Sequence, residues 1–425
     1  MSRAAASTEK LPGKPLGPIP AAFDTIDGQL AIGGETAAQL VERAGGTPLF
    51  VYSREIMRET MRKLRAAMPE RLHINYAIKA NPHSDVLTFM TDLVDGYDIA
   101  SGGELEKIHA AGIDPERVSF AGPGKQDWEL EAAIAAGVTL NLESEGEAAR
   151  ALKLAEASGK TPRLAIRVNP DFDMKGSGMK MGGGAKPFGV DAERVPALGR
   201  SILAAGAEFR GLHIYTGSQA LSAEAIIETQ ANVLALADRI AGDIGQPLPK
   251  LNMGGGFGIP YFNGDEPLDI QKIGGALAER FADLPDTLAE AHLCIELGRY
   301  LAGLAGVYLC RIVDRKESQG ETFLVTDGGL HHQLAASGNF GTVVRRNYPA
   351  AIATTSMCRR ARCSTSWDAF APRSTSCPTR AFFRALRSAI SSPSSVPVLT
   401  GRARLPRNFL ARVRRANCSS RVKGA

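Results

Sequence analysis

INYAIKANP, residues 74–82, is a short run of β-branched and aromatic residues that stops at a lysine, an asparagine and a proline. Ile74, Tyr76 and Ile78 alternate with Asn75 and Ala77, which is the period of an extended strand. The residues before it read as a helix. Ser53 stands where an N-cap belongs, and Ile56, Met57, Met61, Leu64 and Met68 recur behind it at helical spacing. Seven more runs of the strand type follow: 97–100 (YDIA), 117–120 (RVSF), 138–142 (VTLNL), 163–168 (RLAIRV), 209–215 (FRGLHIY), 249–253 (PKLNM) and 291–296 (AHLCIE). Segments rich in Ala, Leu and Glu lie between them, such as 126–136, 144–158 and 222–242, and read as helices. Eight strands alternating with helices predict an α/β fold closed as a (β/α)8 TIM-like barrel. The competing doubly wound open sheet usually has fewer strands.

Outside the barrel, 28–32 (GQLAI), 303–313 (GLAGVYLCRIV) and 321–327 (ETFLVTD) read as strands without helices between them. They predict a smaller β domain built from both chain ends. The expected division is an N-terminal segment 1–45, a barrel over 46–296, a β-domain portion over 297–350, and a tail over 351–425.

The chain has 425 residues and a net charge of +5, but that total conceals two unlike parts. Residues 351–425 carry 14 Arg, one Lys, one Asp and no Glu. The first 350 residues hold 35 basic and 44 acidic side chains, an acidic globular body. No apolar run approaches the ~18 residues of a membrane span, and residues 1–20 lack the apolar core of a secretion leader, so cytoplasm is the expected compartment. The six cysteines form no CxxC pair and have few histidines near them, so no zinc site is expected. Cys294 and Cys310 sit in apolar runs and read as small core residues.

Catalytic groups of a parallel barrel come from the carboxyl ends of its strands, and the polar residues here fall at those ends. Lys79 follows the first strand; Asp98, Ser101 and Glu104 follow the second. Gly122, Gly124, Glu143, Arg167, Asn169, the stretch Tyr215–Ser218, Gly254–Gly256, Glu296 and Arg299 follow the others. Lys79 would continue the strand alternation into a partly desolvated barrel mouth, which favours the neutral, nucleophilic amine; a surface lysine closing a strand is the plain alternative. Gly254, Gly255 and Gly256 would let backbone N–H groups approach a phosphate, although a tight turn explains three glycines equally well. Ser218 would add a hydroxyl and Arg299 a bidentate cation. Glu296 ends an apolar strand, where a carboxylate needs a partner. A protonated pyridine nitrogen would be one, and Arg299 another.

The motifs YAIKANP, DIASGGEL, RVNP, HIYTGSQ, NMGGGFG and ELGR, in this order across about 30–350, resemble the diaminopimelate/ornithine decarboxylase family of fold-type III (alanine-racemase-like) pyridoxal enzymes. GSGMKMGGG at 176–184 and DGGLHHQLAASGNFG at 327–341 resemble most the subgroup associated with exosortase systems. The resemblance implies a pyridoxal 5′-phosphate-dependent amino-acid decarboxylase, nominally acting on diaminopimelate, with the cofactor in a Schiff base on Lys79. It implies that Glu296 pairs with the pyridinium nitrogen and that Asp98 and Glu104 lie near the lysine and ring. Gly254, Gly255, Gly256, Ser218 and Arg299 would hold the phosphate, and Arg167 would support the ring pocket. Tyr215 stands where the family usually has a stacking histidine, and Leu297 where it usually has proline. An amino acid attached to a carrier protein is the alternative substrate, with 176–184 lining a wider entrance. An impaired pyridoxal-binding protein is a further alternative, and an amino-acid racemase matches the motifs less well.

The family also implies a homodimer in which a partner Cys steers a proton and a partner Tyr reaches the phosphate. Their motifs, C-[TE]-[PS]-x-D and G-A-Y, are missing after residue 350. Cys363 leads to Asp368 in a faint echo, and no Tyr follows Tyr348. Glu and strand periodicity vanish together there, which reads as a loss of reading frame at about 353–358. A basic nucleic-acid-binding tail fits the scattered Trp, Phe and Cys poorly, so no nucleic-acid partner is expected.

Overall fold

The computed structural model describes residues 19–262, 264–319, 321–329, 331–332, 349–354 and 397–399. They fall into two compact units. One comprises residues 57–260 and 266–303 and is a closed (β/α)8 barrel.

Its strands are β1 (His73–Ala77), β2 (Gly96–Ile99), β3 (Val118–Phe120), β4 (Thr139–Leu142), β5 (Arg163–Asn169), β6 (Glu208–Ile214), β7 (Lys250–Gly255) and β8 (His292–Leu297). All neighbours are parallel, and the ring closes where Leu140, Asn141 and Leu142 of β4 meet Leu164, Ala165 and Ile166 of β5. The helices are α1 (Arg54–Ala67), α2 (Ser84–Met90), α3 (Gly102–Ala110), α4 (Asp127–Ala136), α5 (Glu145–Ser158), α6 (Val195–Ala204), α7 (Ala223–Ile244) and α8 (Ile270–Phe281). Helix α1 starts one residue after Ser53, whose Oγ accepts from Ile56 N at 3.3 Å. Its Met57, Met61 and Leu64 are buried, as the spacing requires. Glycines in the left-handed region end α4, α5 and α7, at Gly137, Gly159 and Gly245.

The strands are buried on both faces, but the two faces differ in chemistry. One set of side chains is apolar, including Tyr76, Ile99, Phe120, Leu142, Ile166 and Ile214. The alternating set is largely polar and equally buried: Asn75, Asp98, Ser119, Asn141, Arg167, His213, Asn252 and Glu296. His213 of β6 lies 3.2 Å from Glu296 of β8, with β7 between their strands. Such contact across an intervening strand is possible only on the concave side, so the polar set lines the barrel interior. Barrels of this kind are usually filled by branched apolar layers, and a polar filling signals a lumen built for chemistry.

The second unit comprises residues 1–56, 261–265 and 304–425. A hairpin joins Asp24–Ile26 to Gln29–Ile32 through Asp27 (φ 49°) and Gly28 (φ 74°), a pair suited to a two-residue turn. Strand Leu49–Tyr52 pairs antiparallel with Gly306–Leu309, which pairs with Pro397–Leu399, and that strand pairs with Ala350–Ile352. Phe23, Leu30, Ile32, Leu40, Val307 and Leu309 form the core of the unit. The single strand expected over 303–313 is two, Gly306–Leu309 and Ile312–Ser318. The break comes where Arg311 N donates to the Asp327 carboxylate at 2.8 Å. The tail expected to lack strands contributes one, Pro397–Leu399, which pairs with Ala350–Ile352. Cys363, Asp368, Tyr348 and most of the tail lie outside the described residues. Among the described residues, no helix is long and apolar enough to cross a membrane.

Candidate active site

Lys79 does not continue β1. The strand stops at Ala77, and Ile78–Ala80 form a single 3-10 turn that carries the lysine past the sheet edge. The side chain is exposed rather than partly desolvated, since the turn lifts it clear of the packed strand ends. Its Nζ lies 5.8 Å from the centroid of the Tyr215 ring. Tyr215 follows β6 directly and lies beside Gly254, where a Cβ would sit 3.2 Å from the tyrosine ring. The tyrosine and the lysine therefore share one end of the barrel.

Beneath them sit two buried carboxyl groups in opposite electrostatic situations. Among the described residues, neither oxygen of Asp98 makes a well-aligned hydrogen bond, although Ser119 lies close enough to favour the charged form. Burial, reinforced by repulsion from Glu296, pushes the Asp98 carboxyl well above the usual carboxylate range. Burial acts on Glu296 as well, but His213, then Lys79 and Arg167, outweigh it and hold this group well below that range. Asn252 Nδ2 donates to Glu296 Oε2 at 3.2 Å, and Asn252 Oδ1 accepts from Gly254 N at 2.9 Å. The expected alternative pairing of Glu296 with Arg299 is absent. Arg299 Nη1 donates instead to Gln219 Oε1 at 2.8 Å.

The glycine run follows from close approach of backbones. A Cβ on Gly255 would lie 2.0 Å from Glu296 O, and one on Gly256 would lie 2.3 Å from Gly217 O. Gly254 and Gly256 also have φ of 70° and 77°, where side-chain-bearing residues are strained. Stretch 217–220 is stitched to this turn, with Ala220 N donating to Gly256 O and Gly258 N to Ala220 O. Ser218, Gln219, Arg299 and the glycines thus form one locality. Gln219 ties it together, its φ positive at 63° and its amide donating to Ile259 O.

Arg167 and Glu143 form a buried ion pair at 2.8 Å. Glu143 also accepts from Gly122 N and Gly189 N, and the guanidinium lies 4.9 Å over the Phe188 ring. Glu104 Oε2 accepts from Ala100 N at 2.6 Å at the start of α3, so the carboxylate orders the loop after β2. Segment 170–189 forms an arm over this end of the barrel. Met179 and Lys180 pair antiparallel with Ser218 and Gly217, Met181 N donates to Thr216 O, and Asn169 Nδ2 donates to Gly184 O. Among the described residues, no cluster of side chains fits a metal ion.

His213, Asn252 and Gln219 were not among the residues singled out from the sequence. His213 and Asn252 share the strand parity of Tyr215 and Gly254, so period two from those residues would have turned both inward. Gln219 carried no such signal.

These residues fit pyridoxal phosphate. A pyridinium nitrogen requires an ionised carboxylate in a dry setting, and Glu296 is buried yet held in that form. Residues 54–303 match the pyridoxal binding domain of the pyridoxal-dependent decarboxylases. The chain is 36% identical to the L-glutamyl-[BtrI acyl-carrier protein] decarboxylase of Niallia circulans, over 71% of each chain. It is 34% identical to the diaminopimelate decarboxylase of Aquifex aeolicus, over 73% of each. Among solved structures, it superposes on AQ1208 from Aquifex aeolicus with TM-score 0.70 at 26% identity, covering 90% of this chain and 87% of that one. Diaminopimelate decarboxylase from M. jannaschii in co-complex with L-lysine gives TM-score 0.72 at 22% identity, over 89% and 87%, and shows the same fold. With its barrel matched almost end to end and its buried carboxylate suited to the cofactor, the chain belongs to the pyridoxal-dependent decarboxylases, carboxy-lyases that work with pyridoxal phosphate.

Proposed function

We propose that the chain removes the α-carboxylate of an amino acid on pyridoxal phosphate carried by Lys79. The observation behind this reading is the single barrel end that collects an accessible amine, an ionised buried carboxylate and a glycine turn. Bound there, the cofactor supplies an electron sink for the pair left when carbon dioxide departs. Glu296 would pair with the ring nitrogen, and Tyr215 would stack on the ring. Gly254, Gly255, Gly256, Ser218 and Arg299 would hold the phosphate, with Arg299 aimed by Gln219. Arg167 buttresses the pocket wall from its pair with Glu143. Asp98 lies near Glu296 with its carboxyl pushed above the usual range by burial, and Glu104 shapes the loop after β2. Borohydride reduction of the holoprotein followed by peptide mapping tests the assignment: the label is expected on Lys79 alone, and a label elsewhere removes it.

Diaminopimelate, named for the Aquifex aeolicus relative, is the nominal substrate. A carrier-linked amino acid is the second reading, favoured by the arm 170–189 beside Ser218 and by the Niallia circulans relative. Carbon dioxide release from meso-diaminopimelate and from an L-glutamyl thioester separates the two. A cytoplasmic setting is proposed, with a homodimer for the form of the chain whose C-terminal motifs are intact, supported by the family resemblance. Sedimentation of a frame-corrected chain tests the dimer.

A further inference from the structure

The strand register places His213, Asn252 and Cys294 level with one another on β6, β7 and β8, with Glu296 two residues farther along β8. His213 is 1% exposed, and among the described residues neither ring nitrogen makes an aligned hydrogen bond. A buried imidazole without partners is costly, and nothing in the packing of β6 demands one, since Leu212 and Ile214 face the helices. Its Nε2 nevertheless sits 3.2 Å from Glu296 Oε2, the same oxygen that Asn252 engages. Asn252 is committed at both ends, to Glu296 and to Gly254 N. His213 is the uncommitted member of the pair, and its contact with Glu296 spans the full width of β7.

We propose that His213 is a positioning residue that holds the Glu296 carboxylate aimed along the lumen, and thereby lets the site distinguish a ring nitrogen from a ring carbon. This rests on the assignment of Glu296 to the cofactor's ring nitrogen. His213 itself touches neither cofactor nor substrate in this scheme. It acts through the Nε2 edge of its ring, 3.2 Å from one carboxylate oxygen, leaving the other free for the cofactor's ring. A hydrogen bond to a charged group changes affinity about tenfold or more, so the effect is readable in binding alone.

The test is equilibrium titration of the apoprotein with pyridoxal phosphate and with its analogue bearing carbon in place of the ring nitrogen. The unaltered protein is expected to prefer pyridoxal phosphate by about tenfold or more. His213→Leu should shrink that ratio to within about threefold, while His213→Gln, whose amide nitrogen reaches as far as Nε2, should keep most of it. If His213→Leu weakens both ligands by one common factor, the histidine only fills space and the inference is overturned. Should His213→Leu not fold, His213→Asn takes its place, because its shorter amide misses Glu296. Equal ratios in the Asn and Gln variants then overturn the proposal, and a ratio lost only in Asn supports it. Glu296→Gln separates the two levels of inference. A ratio that survives Glu296→Gln refutes the assignment of Glu296, whereas one lost there but intact in His213→Leu refutes the role of His213 alone.

Discussion

At Glu296 burial and local charge pull in opposite directions, and local charge wins. At Asp98, on β2 with β1 between it and the strand of Glu296, burial wins. Two acids whose surroundings drive their pKa values apart are suited to different roles in one site. Glu296→Gln removes the fixed charge and is expected to lower kcat by about a hundredfold or more with a smaller effect on KM, measured by carbon dioxide release. Gly255→Ala is expected to destabilise the barrel by about 1–3 kcal/mol, because its methyl would strike the Glu296 carbonyl; urea denaturation reads the loss. Lys79 and Glu296 were legible in the sequence because each interrupts an apolar run at its carboxyl end. His213 and Asn252 were hidden because they lie inside runs that still look like strands. The exposure of Lys79 was misread because one 3-10 turn, beyond the reach of a period-two pattern, shifts the residue off the strand.

The elements were readable within a residue or two, since each barrel strand alternates a buried apolar side chain with an inward, mostly polar one. What the pattern missed is how the strand ends are tied together. Lys125 is buried and spends its three donors on Gly122 O, Asn141 O and Glu147 Oε1, which joins the loop after β3 to β4 and α5. Burial depresses its pKa and raises that of Glu147 despite the pairing, so the pair holds shape at an electrostatic cost. Lys125→Met should therefore cost about 3–5 kcal/mol by stranding Glu147, and adding Glu147→Leu should recover most of it, again by denaturation. At the opposite barrel end, His73 and His292 begin β1 and β8 with ring centroids 3.7 Å apart. Asp95, Arg65, Lys250 and Arg210 surround them. Burial, then repulsion from His73 and Lys250, lowers His292 to about 4, and burial also lowers His73. The unfolded chain protonates His292 near pH 6.5 while the folded chain resists until about pH 4, and the lowered His73 acts in the same direction. Stability is thus expected to fall as pH drops through that window. Urea midpoints recorded against pH should show the fall, and His292→Gln should flatten it.

For the whole molecule, the barrel unit contains every side chain assigned to the cofactor, whereas the partner residues implied by the family resemblance have no match in the sequence after residue 350. The chain as written is expected to take up pyridoxal phosphate on Lys79 yet to sediment as a monomer with little turnover. A dimer with full activity would count against that reading. Sequencing the gene around codons 353–358 checks its cause, which requires an alternative frame encoding the two absent motifs. The two-ended β unit was legible in outline from its apolar runs. Its strand at Pro397–Leu399 was not, because three residues amid an Arg- and Ser-rich tail carry too little periodicity to stand out.

The arm over 170–189 is fastened to the barrel mouth by backbone pairing and by Asn169, and it contributes none of the groups assigned to the cofactor. It is in effect an interchangeable fitting. Grafting a shorter or longer version between Asn169 and Val190 would retune which molecules are admitted while leaving the underlying machinery in place, so selectivity in this scaffold can drift independently of its chemistry.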